Sequence, residues 1–435
     1  MTDSRHCDVL VVGGGPAGST ISTLLARDGH EVVLLEKEHH PRFHIGESLL
    51  PANLDMLRQL GVLDEVAACG MEKWGIEFVS HEHTHHTFLE FGDGWDKSLA
   101  MAYQVRRSQF DEILLRNAQR KGVEVIEGCR ARTVDFVPGG GASVSAVQDD
   151  GSTRTYQARM LIDASGRDTL LANKFKIKRK NPDHNSSALY AHFSGAERLT
   201  GKREGNITVV WFQHGWFWFI PLPDGITSVG VVCWPYYLKT RAGKPLDQFF
   251  LETIAMAPEL ARRLQHAKLE SQVFATGNYS YVVDRCHGEN YLLVGDAFTF
   301  IDPVFSTGVY MAMKNAFAGA KAVDVALRDP ARTAQAMAAY DRTVRHGPRE
   351  FSWFIYRMTQ PVIRDMFMHP KNLFRMQEAV LSLLAGDAYG RSPIKPSLLA
   401  FKIGYHLLLW SKPGQMIRSI RQRRINIQDV VGGEA

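Results

Sequence analysis

Three glycines and a carboxylate near the start of the chain carry the first chemical signal. Gly13, Gly15 and Gly18 stand at GxGxxG spacing in Gly13-Gly14-Gly15-Pro16-Ala17-Gly18, and Glu36 closes a later apolar run. Asp8 to Val12 reads as a buried strand, the stretch through Arg27 as a helix, and Glu31 to Leu35 as a second strand. Strand, glycine turn, helix, strand and acid together form a dinucleotide-binding unit. Gly13 makes the tight turn, Gly15 lets a pyrophosphate reach the helix N-terminus, and Gly18 lets helix and strand pack closely. Glu36 is placed to accept ribose hydroxyls. A second strand–loop–helix stretch lies far downstream. Tyr291 to Val294 is apolar, Gly295-Asp296-Ala297 follows, and Ser306-Thr307-Gly308 leads into a helical pattern from Val309 to Leu327. A helix N-terminus offers unpaired N–H groups to an anion. Gly308 allows close approach, and Ser306 and Thr307 are the expected caps.

The elements that hold these residues need a large scaffold. At 435 residues the chain exceeds one ordinary core, and 45% hydrophobic with 22% charged residues reads as globular. No apolar run reaches about 18 residues, so no membrane span is expected. The N-terminus lacks the pattern of a secretory leader. Five scattered cysteines argue for a reducing, cytoplasmic setting without a disulfide framework. The net charge of +5 is partly local, from Arg418, Arg421, Arg423 and Arg424, with Lys402 and Lys412 upstream. This cluster reads as a solvated helix face or as a landing site for an acidic protein. Nucleic acid has no further support. In His81-Glu82-His83-Thr84-His85-His86, strand alternation would put His81, His83 and His85 on one face. No fourth ligand is evident, so a solvated hairpin is expected and no metal.

Three further segments specify the dinucleotide. Val105-Arg106-Arg107-Ser108-Gln109-Phe110-Asp111 opens a helix, Leu161-Ile162-Asp163-Ala164-Ser165-Gly166-Arg167 runs from strand into a glycine turn, and Gly295-Asp296-Ala297 is the third. With these, residues 6 to 330 resemble the FAD-dependent hydroxylases, geranylgeranyl reductases and halogenases. The resemblance implies FAD held by Gly13, Gly15, Ala17, Gly18, Glu36, Lys37, Ser48, Arg107 and Asp296. Within that superfamily, Phe43-His44-Ile45-Gly46-Glu47-Ser48 is similar to a loop that wraps the flavin. Trp216-Phe217-Trp218-Phe219-Ile220-Pro221 is similar to the WxWxIP signature of flavin-dependent halogenases. Phe300, Pro303, Ser306 and Gly308 match a pattern shared by the same enzymes.

The chain thus resembles the halogenase branch acting on pyrrole or phenol rings, often carried on an acyl or peptidyl carrier protein, rather than on free tryptophan. The resemblance implies a mechanism. Reduced FAD and oxygen give a hydroperoxide, chloride or bromide attacks it, and one lysine guides the resulting hypohalous acid to the ring. The matching lysine is Lys73, in Met71-Glu72-Lys73-Trp74-Gly75, beside a carboxylate and an indole. Ser306, Thr307 and Gly308 would seat the halide. Trp216, Trp218 and Pro221 would shield the flavin from direct oxygen transfer to the ring. FADH2 would come from a separate flavin reductase, since one dinucleotide fingerprint occurs. An aromatic monooxygenase, a geranylgeranyl-reductase-like flavoprotein and a flavoprotein that only binds its ligand are the alternatives.

The expected fold is α/β, or α+β overall. A Rossmann-like FAD-binding domain would occupy residues 1–185 and 276–330. An antiparallel-sheet substrate domain would occupy 186–275. A helical C-terminal segment, 331–435, would cover the substrate site, with Phe351, Trp353, Phe354, Tyr356, Met358, Met366, Phe367 and Met368 as its aromatic and Met cluster.

Overall fold

A computed structural model describes residues 4–137, 140–277, 280–389 and 392–411, together with 414, 417, 419 and 421. The strand Ser4–Val12 lies at the centre of a mainly parallel sheet. Thr153–Asp163 and then Tyr291–Leu293 lie on one side of it, and Val32–Leu35 and then Glu124–Ile126 on the other. Register aligns their carboxyl ends. Val12 pairs with both Leu35 and Asp163, and Asp163 pairs with Leu293. Val9–Val12, Val32–Leu35, Met160–Asp163 and Tyr291–Leu293 are buried on both faces, which explains their largely apolar runs, whereas the edge strand Glu124–Ile126 is half-buried. The helices Pro16–Arg27 and Thr307–Arg328 pack against each other on this sheet, each beginning near a strand's carboxyl end.

A second sheet runs in the order Lys268–Leu269, Ser187–Ser194, Ile226–Cys233, Gly215–Pro221, Ile207–Phe212, Gly75–Ser80, Thr87–Glu90. Two of its strands come from well before residue 186, and Ile207–Phe212 pairs with Gly75–Ser80 in parallel. The substrate-layer sheet is therefore neither purely antiparallel nor confined to one stretch of chain. A parallel partner for Ile207–Phe212 has to come from a distant segment, because a short hairpin cannot supply one. The period of two sorts its residues. Trp216, Trp218 and Ile220 enter the main core, while Phe217 and Phe219 pack with Phe249, Phe250 and Leu260 behind the sheet.

The C-terminal helices Thr333–Ile355, Pro361–Met368, Met376–Leu384 and Lys395–Ser411 close the main core. Phe351, Phe354, Met358, Phe367 and Met368 are buried there. The Trp211 indole N–H donates to Met358 O at 2.9 Å, tying sheet to helices. Lys402 lies over the Trp353 ring and Arg421 is exposed, whereas Lys412, Arg418, Arg423 and Arg424 lie outside the described residues. Among the described residues, no helix is long and apolar enough to cross a membrane.

Candidate active site

Aligned strand ends place their loops side by side, and a cavity of about 640 Å³ opens where they meet the second sheet. From the expected set it is lined by Gly13, Gly15, Ala17, Glu36, Lys37, Ser48, Arg107, Asp296, Ser306, Gly308, Trp216 and Trp218. Gly18, Thr307, Pro221 and Lys73 do not line it. Gly18 has the packing role its spacing implied, since a Cβ there would stand 1.8 Å from Gly13 O. Gly13 has φ +108°, and a Cβ would meet Ala164 O at 2.3 Å. Gly15 differs: a Cβ there would find only Arg42 Nη2, at 3.6 Å. Backbone at Gly15 is thus open to the cavity at the start of a helix, a cradle that fits a pyrophosphate.

Charges around this cradle are held by the protein itself. Glu36 accepts from Gly14 N at 2.6 Å and Glu38 N at 2.9 Å. Arg107 forms a buried fork with Asp111, at 2.7 and 3.0 Å, and also donates to Ile45 O at 2.8 Å. A guanidinium engaged on both sides anchors the 43–48 loop as well as presenting cationic surface to the cavity. Burial pushes the Asp296 carboxyl up to about 6, against the pull of Arg107 and Arg167. Burial pushes His44, a cavity residue, down to about 4, with Arg107 acting in the same direction.

The loop before Thr307–Arg328 departs from expectation in one respect. Ser306 sits at φ +56°, in the left-handed region rather than the extended one usual for a capping residue, and makes no side-chain cap bond. Asp302 caps the preceding turn instead, accepting from Val304 N at 3.0 Å. Asp302 is held in turn by His184, at 2.7 Å, and Ser186, at 3.1 Å. Nothing in the sequence tied His184 to this loop. The helix's first amides have no intrahelical partner and sit at the cavity edge with Ser306 and Gly308.

Lys73 is 1% exposed. Its Nζ donates to Ser48 Oγ at 2.9 Å and Leu49 O at 3.0 Å, and lies 5.2 Å from the Phe91 ring centre. It therefore sits one hydrogen bond behind the cavity wall, since Ser48 lines the cavity. The carboxylate and indole beside it in sequence are not its partners. Strand alternation turns Glu72 and Trp74 the other way, where Trp74 Nε1 donates to Glu72 at 3.1 Å and Lys202 covers the indole. Burial alone lowers the Lys73 ammonium to about 7.

The second sheet supplies an aromatic wall. Trp216 and Trp218 stand 6.0 Å apart, and Tyr190 lies 6.0 Å from Trp218. Phe43 and Phe274 stack at 4.7 Å beside Tyr190. Trp218 lies flat on its cross-strand partner Gly230, where a Cβ would come 2.1 Å from the indole. Its N–H donates to Ser228 Oγ at 3.2 Å. Glu47 belongs to the loop similar to one that wraps the flavin. It is buried at the cavity, bonded to His192 at 3.0 Å, with its other oxygen unpartnered. Pro221 ends its strand outside the cavity. Among the described residues, the aromatic and Met cluster of the C-terminal helices does not line the cavity either, because it packs into the core.

The FAD binding domain family matches residues 6–348. The chain is 37% identical to a tryptophan 2-halogenase of Chondromyces crocatus over 77% of its own length and 64% of that protein's, so it spans less than two thirds of that relative. It is 31% identical to a 1H-pyrrole-2-carbonyl-[peptidyl-carrier protein] brominase of Pseudoalteromonas luteoviolacea, covering 84% of this chain and 91% of the relative. The solved structure of the myxobacterial chondrochloren halogenase CndH superposes with a TM-score of 0.77 at 32% identity, over 90% of this chain and 92% of that one.

Two predictions follow from the geometry. A folded pKa near 7, against about 10.4 for an exposed lysine, means the folded chain binds fewer protons than the unfolded chain between those values. Stability therefore rises with pH across that window, and the penalty for burying the amine is greatest at pH 7 and below. Lys73→Met is expected to raise the melting temperature at neutral pH, with a gain that shrinks towards pH ~10. Thermal melts across that range check it, and a gain independent of pH would contradict it. Gly230→Ala should displace the Trp218 indole and weaken FAD binding severalfold in a flavin titration, while Ser228→Ala should change it little.

Proposed function

The chain belongs to the flavin-dependent halogenases, and from that premise we propose that it halogenates an electron-rich aromatic ring, a pyrrole or a phenol, beside the wall of Trp216, Trp218 and Tyr190. The observation that carries this reading is Lys73, a dehydrated amine one hydrogen bond behind Ser48 at the cavity wall. FAD is the cofactor, and the glycine cradle fits it. Gly15 offers open backbone, Gly13 and Gly18 tolerate no side chain, and Glu36, Lys37, Ser48, Arg107 and Asp296 face the same space. Ala17 lines it at the helix start. Reduced FAD with oxygen and chloride or bromide supplies hypohalous acid, and a separate flavin reductase delivers the reduced cofactor.

The chain's own residues then act in sequence. The backbone amides at Thr307 and Gly308, with Ser306 at the helix N-terminus, seat the halide. Trp216 and Trp218, the latter seated on Gly230, keep the ring away from the flavin, and Pro221 ends their strand. Hypohalous acid must instead reach the ring by way of Lys73. With its pKa near 7, Lys73 holds a substantial neutral fraction at physiological pH. It is thus ready either to capture halogen or, when protonated, to polarise the acid by a hydrogen bond. Ser48 holds the amine one hydrogen bond from the flavin cavity.

The ring arrives free or as a thioester on an acidic carrier protein. The basic C-terminal residues, including Lys402 and Arg421, would guide a carrier by charge. Lys73→Ala should abolish halogenated product, by mass spectrometry, while FAD content and reductase-coupled oxygen consumption stay unchanged. Normal halogenation by this variant would remove Lys73 from the mechanism. Pyrrole, phenol and indole acids should be compared with their carrier thioesters in halide excess. Hydroxylated product without halogen would point to a monooxygenase.

A further inference from the structure

Asp302 is the one carboxylate between Ala297 and Thr307, and it is buried. Its two oxygens have separate partners. Oδ1 accepts from Val304 N and shapes the turn Pro303–Phe305, just before the helix Thr307–Arg328. Oδ2 faces His184 Nε2 at 2.7 Å and accepts from Ser186 Oγ at 3.1 Å. An ionised carboxylate only accepts, so that nitrogen of His184 carries the hydrogen. His184 and Ser186 are buried as well. Ser, His and Asp in one cluster invite comparison with a nucleophilic triad. Here, however, the hydroxyl and the carboxylate both approach the same ring nitrogen, so the imidazole does not bridge serine to acid. None of the three lines the flavin cavity. The cluster is therefore placed to support a backbone.

Separate parts of the molecule meet at His184. Ser186 leads directly into the strand Ser187–Ser194 of the second sheet. The His184 ring stacks on Tyr356 at 5.7 Å and meets Trp234 edge-on at 5.7 Å. Trp234 follows the strand Ile226–Cys233, and Tyr356 follows the helix Thr333–Ile355. The Tyr356 hydroxyl accepts from Asn181 Nδ2 at 2.7 Å. The loop is thus pinned through Asp302 to the second sheet and the C-terminal helices, while Pro303, Ser306 and Gly308 face the cavity. We propose that His184 and Asp302 are positioning residues for the halide seat. They fix the turn Pro303–Phe305 so that the Thr307 and Gly308 amides face the cavity, and thereby set halide affinity. The inference rests on the reading that those amides hold the halide. A seat made of backbone amides has no full charge of its own, so its affinity depends on how well a few N–H groups converge. Loss of the His184 donor leaves a buried carboxylate short of a partner, and the turn that it caps then relaxes.

The test measures bromide binding to the FAD-loaded protein, read as the rise in melting temperature with bromide at constant ionic strength, acetate making up the balance. Bromide KM and kcat at saturating bromide are then compared in the reductase-coupled assay. His184→Phe keeps a ring to stack on Tyr356 and removes the donor. It is expected to weaken bromide binding and raise bromide KM severalfold, with FAD content and kcat at saturating bromide near the parent values. His184→Gln, whose amide donates from a similar position, should restore the parent affinity. A role in stability alone would lower the melting temperature of His184→Phe equally at every bromide concentration, and that result overturns the proposal. Gly308→Val, which puts a side chain at the cavity edge, tests the seat separately. If Gly308→Val weakens bromide binding and His184→Phe does not, the positioning role alone fails. If Gly308→Val leaves binding unchanged, or the parent protein binds no bromide, the seat itself fails and the inference with it. Should His184→Phe lose FAD, Ser186→Ala replaces it. That variant removes the other donor to the same oxygen, and a smaller loss of bromide affinity is expected.

Discussion

The parallel register of the central sheet is the constraint on which the site depends. Val12, Leu35, Asp163 and Leu293 end level with one another, so the turns that follow open on the same edge. Each of those turns contributes to the lining of the cavity, through Gly13, Glu36, Ser165 and Asp296. A shift of one residue in any pairing would turn buried valines and leucines towards the wrong face. It would also separate Gly13 from Ala164, whose backbones meet so closely that neither a Cβ nor a strained substitute fits between them. Hydrophobic burial therefore fixes the position of groups that themselves contribute little to stability.

The second sheet solves a different problem. It must present rigid aromatic rings to the cavity and still be covered on its back. Alternation does both, because Trp216 and Trp218 face one core while Phe217 and Phe219 face another. Gly230 supplies the flat surface that Trp218 needs. Arg263 and Glu77 form a buried, bidentate ion pair behind the sheet, at 2.8 and 2.9 Å. A charge pair so enclosed is tolerated because Thr208, Glu259 and His86 satisfy its remaining donors and acceptors.

Lys73 illustrates the opposite arrangement. It is buried with a hydroxyl, a carbonyl and an aromatic ring, and no carboxylate neutralises it. Such a site favours the neutral amine and is unfavourable for the folded state at neutral pH. Structural requirements alone would place an apolar residue there. An amine buried there, one hydrogen bond from the cavity, is the observation on which its proposed catalytic role rests.

Much of this was legible from the chain itself. Glycine spacing, followed by an acid after a second apolar run, specified the βαβ unit, because turn geometry is a local property. Period-two patterning specified which tryptophans share a face. Tertiary structure decided what local rules cannot reach. Strands at 75–90 join a sheet otherwise built more than a hundred residues later, since a parallel partner must come from a distant segment. The partners of Lys73 are Ser48 and Leu49 O, not its neighbours Glu72 and Trp74, because a strand sends adjacent side chains to opposite faces. Ser306 reads as a cap but adopts a left-handed backbone without a side-chain cap bond, while Asp302 caps the short turn before it, held by a histidine more than a hundred residues earlier. The histidine turn meets His369 and Asp365 only when the C-terminal helices fold back onto the sheet, a contact between segments nearly three hundred residues apart.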